Sequence, residues 1–247
     1  MSRYYYDLHI HSCLSPCGDD DMTPANIAGM AALKGLQIVA LCDHNTTANV
    51  PAFMTACKNA GIIPVPGIEV TTAEDIHLLC LFRTVEPAMT FGSAVQNRLV
   101  KVENRPDIFG RQIIMNEADM PVGEYGFLLL NATDMPLEEA TGQCRKLGGF
   151  CCPAHIDRES NGAAAILGTF PDWLGYTAFE ISSAGSREKE NAKFPCLSGM
   201  RYLKNSDAHY LWDISEAENW LELDDEPYSS QLVRDRLIDY LEGGAGC

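Results

Sequence analysis

Histidine placement constrains this chain more than any other feature of its 247 residues. Five of the six histidines lie at, or within two residues of, the start or end of an apolar, strand-like run, and the sixth, His209, follows such a run six residues on. Tyr4-Tyr5-Tyr6 leads into Asp7-Leu8-His9-Ile10-His11. Ile38-Val39-Ala40-Leu41-Cys42 leads into Asp43-His44, and Ile62 through Ile68 leads into Glu69. His77 opens Leu78-Leu79-Cys80-Leu81-Phe82, His155 closes Gly148 through Ala154, and Asp207-Ala208-His209 follows Met200-Arg201-Tyr202-Leu203. Residues two apart on a strand share a face, so Asp7, His9 and His11 are predicted to point the same way. Two such imidazoles can close on one metal ion, and a neighbouring carboxylate can orient a ring. The His-x-His spacing alone fits two surface histidines on an edge strand equally well. A whole inventory at strand ends points to a metal site, because barrels collect their active sites at the C-terminal ends of their strands.

Four motifs follow in order: His9-Ile10-His11 and then an acidic residue, Asp43-His44, Glu69 with His77, and His155 with Asp207-Ala208-His209. This pattern resembles the PHP superfamily (polymerase and histidinol phosphatase) from Tyr6 to about Tyr210. The resemblance implies an α/β fold, a distorted (β/α)7 TIM-like barrel, with two to three divalent metal ions; mixed His/carboxylate sites accept Zn, Mn or Fe. It implies His9, His11, Glu69 and Asp207 on one metal, and Glu69 bridging to a second with His77 and His155. Asp19, His44 and His209 would hold a third. Within Asp19-Asp20-Asp21, counting back from Thr23-Pro24 favours Asp19. Asp43 is left to support His44, since adjacent residues of a regular strand cannot both face inward. The implied activity is a metal-dependent phosphoesterase using a metal-activated hydroxide at a trinuclear site, with inorganic phosphate as product. Glu69 and Asp207 would be central to it, and Arg158 and Arg187 would clamp phosphate, because guanidinium matches its geometry.

A 27.1 kDa chain with 46% hydrophobic residues has the size of one barrel domain, residues 1–247. From about 84 to 134 the pattern blurs and no candidate ligand falls inside. That stretch reads as a rim insertion, a lid or substrate element, with a helix near Ala88–Lys101 and strands at Gln112–Met115 and Tyr125–Leu130. Helices are predicted after Thr23 up to Gly35, over Pro51–Ala60 up to Gly61, over Pro136–Leu147 and over Ser229–Leu241, with a late edge strand at Trp220–Leu223. The ten cysteines lack paired CxxC spacing, and Met1-Ser2-Arg3 does not open a signal-like segment, so a reducing cytoplasm and free thiols are expected. Cys13 and Cys17, near the first motif, read as small buried hydrophobes. No apolar run reaches the roughly 18 residues of a membrane span. The net charge of −16 argues against duplex nucleic acid, leaving a small phosphorylated substrate or a nucleotide, including the ends of short RNA. Two other readings are an amidohydrolase, for which Lys204 is the nearest lysine, and a non-catalytic metal-binding module.

Overall fold

A computed structural model describes residues 1–243. The chain runs β1 (Ser2–Ile10), α1 (Pro24–Leu33), β2 (Ile38–Leu41), α2 (Val50–Ala60), β3 (Ile63–Thr71), β4 (His77–Leu81) and α3 (Val85–Asn97). It continues with α4 (Pro106–Phe109), β5 (Ile113–Met115), β6 (Pro121–Glu124), α5 (Leu137–Lys146), β7 (Phe150–Pro153) and α6 (Ala163–Leu167). It ends with β8 (Ala178–Ile181), α7 (Arg187–Lys193), β9 (Arg201–Lys204), β10 (Trp220–Leu223) and α8 (Ser230–Leu241).

Six strands form one sheet in the order β10-β1-β2-β3-β4-β7, and β8 pairs with β9 in parallel. The sheet curls so that this pair lies between its two sides. The Ile156 amide donates to the Glu180 carbonyl at 2.9 Å on one side, and a parallel bridge joins Ile10 to Ala208 on the other. Seven strands, β1 to β4 and β7 to β9, thus surround the interior as the (β/α)7 expectation required. The distortion comes from β4, which is antiparallel to both β3 and β7. The nine residues of β3 are all buried, as suits a strand covered on both faces.

The helix boundaries follow local chemistry. Thr23 caps α1 through its hydroxyl, which accepts from the Asn26 amide at 3.3 Å, and Pro24 opens the helix. Gly35 (φ +77°) and Gly61 (φ +73°) follow α1 and α2 in the left-handed conformation that stops a helix.

The segment 84–134 is only partly a rim element. Ala88, Phe91 and Val95 bury α3 against Ile68, Val70 and Phe82, so this helix belongs to the barrel's outer layer. The β5–β6 hairpin packs over the loop after β1, where the Ile113 amide donates to the Cys13 carbonyl at 2.8 Å. The strand expected at Tyr125–Leu130 is absent. The buried Gln112 amide donates to the Tyr125 and Phe127 carbonyls, each at 2.7 Å, in place of a strand neighbour, and β5 pairs with Pro121–Glu124 instead.

Candidate metal centre

The predicted ligands converge at one end of the barrel around Glu69. His9 Nε2 and His11 Nε2 stand 3.2 Å apart, and both face the Glu69 and Asp207 carboxylates at 3.0–3.5 Å. Glu69 Oε1 lies 2.8 Å from His77 Nδ1 and 3.1 Å from His155 Nε2, which are themselves 3.3 Å apart. Glu69 Oε2 lies 3.0 Å from His44 Nδ1. The His209 ring stacks on His11 with centroids 4.3 Å apart. Three groups of mutually close donor atoms result: His9, His11, Glu69 and Asp207; His44, Glu69 and His77; His11, His44 and His209. Asp19 is joined to His209 through the backbone, its amide donating to the His209 carbonyl at 2.9 Å, while its Oδ1 accepts from the Asp21 amide. Asp20 instead pairs with Arg111 at 3.2 Å.

Each ring is aimed by what its other nitrogen touches. His9 Nδ1 sits 3.0 Å from both oxygens of Glu180, which leaves Nε2 to the centre. Glu180 also accepts from the His155 amide at 3.0 Å and from Asn205 Nδ2 at 2.6 Å, so one buried carboxylate on β8 ties β1, β7 and β9 together. His11 Nδ1 meets Ser15 Oγ at 3.0 Å, and Ser15 donates onward to Asp43 Oδ1 at 2.8 Å. The Asp43 support expected for His44 therefore passes through Ser15, whose oxygen also accepts from the His44 amide at 3.1 Å. Asp7, expected beside the imidazoles, is occupied elsewhere. Its oxygens accept from the Ser206 and Ser215 amides, and the register between β1 and β2 shifts just after it. Glu180 takes the role assigned to Asp7; an acid inside Ala178-Phe179-Glu180-Ile181 was the signal for it.

The electrostatics ask for cations. Burial pushes Glu69 and Asp207 up, yet the surrounding imidazoles hold both well below the usual carboxylate range. Burial pulls His11 down, but Asp207 and Glu69 outweigh it and raise the ring to about 9. Burial and the neighbouring His11 push His44 down to about 3 and His209 to about 4. Buried His44 Nδ1, Glu69 Oε2 and Asp207 Oδ1 find no hydrogen-bond partner. Orphaned lone pairs crowded at contact distance, from nitrogen and carboxylate oxygen alike, fit divalent metal ions. His155 and Asp207 also hold left-handed backbone (φ +28° and +54°), a strain found where a site over-determines its residues.

Arg158 reaches the cluster, with Nη1 2.5 Å from Asp207 Oδ2. Arg187 does not. Its guanidinium lies over the Tyr202 ring and 3.5 Å from the Met200 carbonyl, at the end of β9 away from Asp207. Lys204 donates to the Gly185 carbonyl rather than entering the cluster. Cys13 is buried as expected, and Cys17 is exposed.

Residues 7–142, more than half of the chain, match the PHP domain family. The chain belongs to this family. An 89-residue stretch of the PHP chain is 36% identical to a 5′-3′ exoribonuclease of Haemophilus influenzae, covering 34% of this chain and 31% of that enzyme. Over the full fold it is similar to a lesion-specific endonuclease Q of Pyrococcus furiosus (TM-score 0.72, 19% identity, 99% of this chain and 57% of that one). A protein of Bifidobacterium adolescentis assigned as a metal-dependent phosphoesterase gives a TM-score of 0.62 at 18% identity, covering 95% of both chains. The PHP chain thus spans under two thirds of the length of the first two.

Endonuclease Q has also been seen with a 27-mer duplex carrying an abasic lesion at its active site (TM-score 0.68, 19% identity, 99% of this chain and 58% of that one). That complex overturns the exclusion of duplex nucleic acid, and the nuclease relatives overturn the restriction to a small substrate. Net charge was the wrong quantity, because bound ions can dominate the local field of an acidic protein. No described helix is long and apolar enough to cross a membrane.

Proposed function

We propose that this PHP chain hydrolyses phosphate ester bonds of nucleic acids with the help of divalent metals. The observation that carries this reading is the convergence of six imidazoles and two carboxylates on Glu69, with a guanidinium at their rim. His9, His11, Glu69 and Asp207 would hold one metal, Glu69, His77 and His155 a second, and His44 and His209, with Asp19 beside them, a third. Bound divalent ions supply an acidified water and charge for the phosphoryl oxygens. The chain's own residues supply placement. Arg158 holds Asp207 Oδ2, which leaves Oδ1 to the imidazoles, and its side chain is 42% exposed, free to orient a phosphate by charge-assisted hydrogen bonds. Among the relatives, exoribonuclease and endonuclease activities favour a nucleic acid over a small metabolite.

The test incubates the protein, loaded with Mn or Zn, with single-stranded and duplex oligonucleotides of RNA and DNA and with a panel of small phosphomonoesters. Shortened or nicked strands are expected. Arg158→Ala should raise KM about 10- to 150-fold with metal content retained, the loss of a charged hydrogen bond of about 1.5–3 kcal/mol. Asp207→Ala should lose metal and activity together. Turnover confined to the phosphomonoesters would overturn the nucleic-acid reading, and no turnover by the metal-loaded protein would leave a binding module.

A further inference from the structure

The cluster is buried except at three residues. Side-chain exposure is 0–5% for His9, His11, His44, Glu69, His155 and Asp207, but 12% for His77, 21% for His209 and 42% for Arg158. Of these residues, His77, His209 and Arg158 are the ones a substrate can reach. One and three positions after His209 come two aromatic side chains that the centre does not use. Tyr210 and Trp212 stack with centroids 5.0 Å apart and planes within 16°, and they are 39% and 68% exposed. Their backbone is fixed: Lys34 Nζ donates to the Trp212 carbonyl at 2.8 Å and to the Ile214 carbonyl, and the Asp213 amide closes a turn on the Tyr210 carbonyl at 3.0 Å. Trp212 also walls a cleft of about 290 Å³ that reaches Ser206, the neighbour of Asp207.

We infer that the Tyr210–Trp212 stack seats a nucleobase of the strand whose phosphate lies at the centre. The inference rests on the nucleic-acid reading above and names the part of the substrate this surface takes. A flat, rigid indole offered to solvent beside a phosphate-handling site matches the way proteins hold unpaired bases, by stacking that tolerates any base. Charge does not explain the surface, since its lysine, Lys34, is paired with Glu216 at 3.1 Å and exposed Asp213 disfavours phosphate there. A base can reach the stack from a single strand, a frayed end or an unpaired position in a duplex.

Two strands of equal length separate the outcomes: an ordinary oligonucleotide, and one with tetrahydrofuran in place of every nucleoside. On the first, Trp212→Ala should raise KM about 5- to 100-fold with kcat within about two-fold, the cost of one lost stacking contact, and Trp212→Phe should stay near wild type. On the base-free strand Trp212→Ala should equal wild type, which also shows that the variant is folded. The ordinary strand should quench tryptophan emission in wild type but far less in Trp212→Phe. Equal KM for Trp212→Ala and wild type on the ordinary strand overturns the platform and leaves the nuclease reading intact. If wild type cleaves neither strand, the nuclease reading fails, and the quenching alone decides whether the stack binds a base.

Discussion

Ser15 shows how completely single groups are used around this centre. A hydroxyl has one donor and two lone pairs. Here the donor goes to Asp43, one lone pair to His11 Nδ1–H and the other to the His44 amide, so one small residue fixes two histidines of the cluster. Glu180 does the same for His9, His155 and Asn205. Glu180→Gln keeps the shape, removes the charge and offers His9 only one acceptor oxygen. Metal affinity measured by titration into apo-protein should fall about 10- to 100-fold, the usual cost of losing the partner behind a metal-binding ring. Unchanged affinity would reduce Glu180 to a packing residue. The clustering histidines were legible because histidine next to an apolar run is a conspicuous pattern. Glu180 was less so, because its signal, an acid within a strand of four, ordinarily reads as the solvent-facing side. Asp7 was misread because strand alternation gives a direction and says nothing of which backbone amides compete for the carboxylate.

Among the elements, α3 departs most from its reading as part of a rim insertion. Phe91 is fully buried and its ring centroid lies 5.5 Å from that of Phe82. Phe91→Ala should cost about 3–5 kcal/mol of stability, the range for emptying an aromatic site in a packed core. Urea unfolding measures it. A loss below about 1 kcal/mol, within the range of surface substitutions, would return α3 to the rim. The helices around it were legible from their stops, Gly35 and Gly61, because few other residues accept a positive φ. The 125–130 stretch was not, because its strand-like composition is satisfied by the side chain of Gln112, a partner 13 and 15 positions away that periodicity cannot register.

For the whole molecule, charge matters by location. A chain of net charge −16 places Glu69, Asp207, Glu180 and Asp43 close together in its interior. Cations that bind only the folded state stabilise it by about 2.7 kcal/mol at a concentration 100 times Kd. For a chain of this length each kcal/mol moves Tm by about 2–4 °C. Stripping metal with a chelator, checked by elemental analysis, should therefore lower Tm by about 5–10 °C, and adding Mn or Zn back should restore it. An unchanged Tm after verified removal would mean that the cluster is held by its own hydrogen bonds and gains no stability from metal.

The Ile10–Ala208 bridge and the bond from the Ser206 amide to Asp7, 199 positions away, place the earliest and latest halves of the centre side by side. On the ribosome, His9 and His11 emerge long before Asp207 and His209. Joining such distant stretches carries the loop-closure entropy of nearly the entire chain, so it comes late in folding. The two halves of the cluster therefore stay apart until residues 207–209 have been made, and the centre assembles in one late event, when the barrel closes.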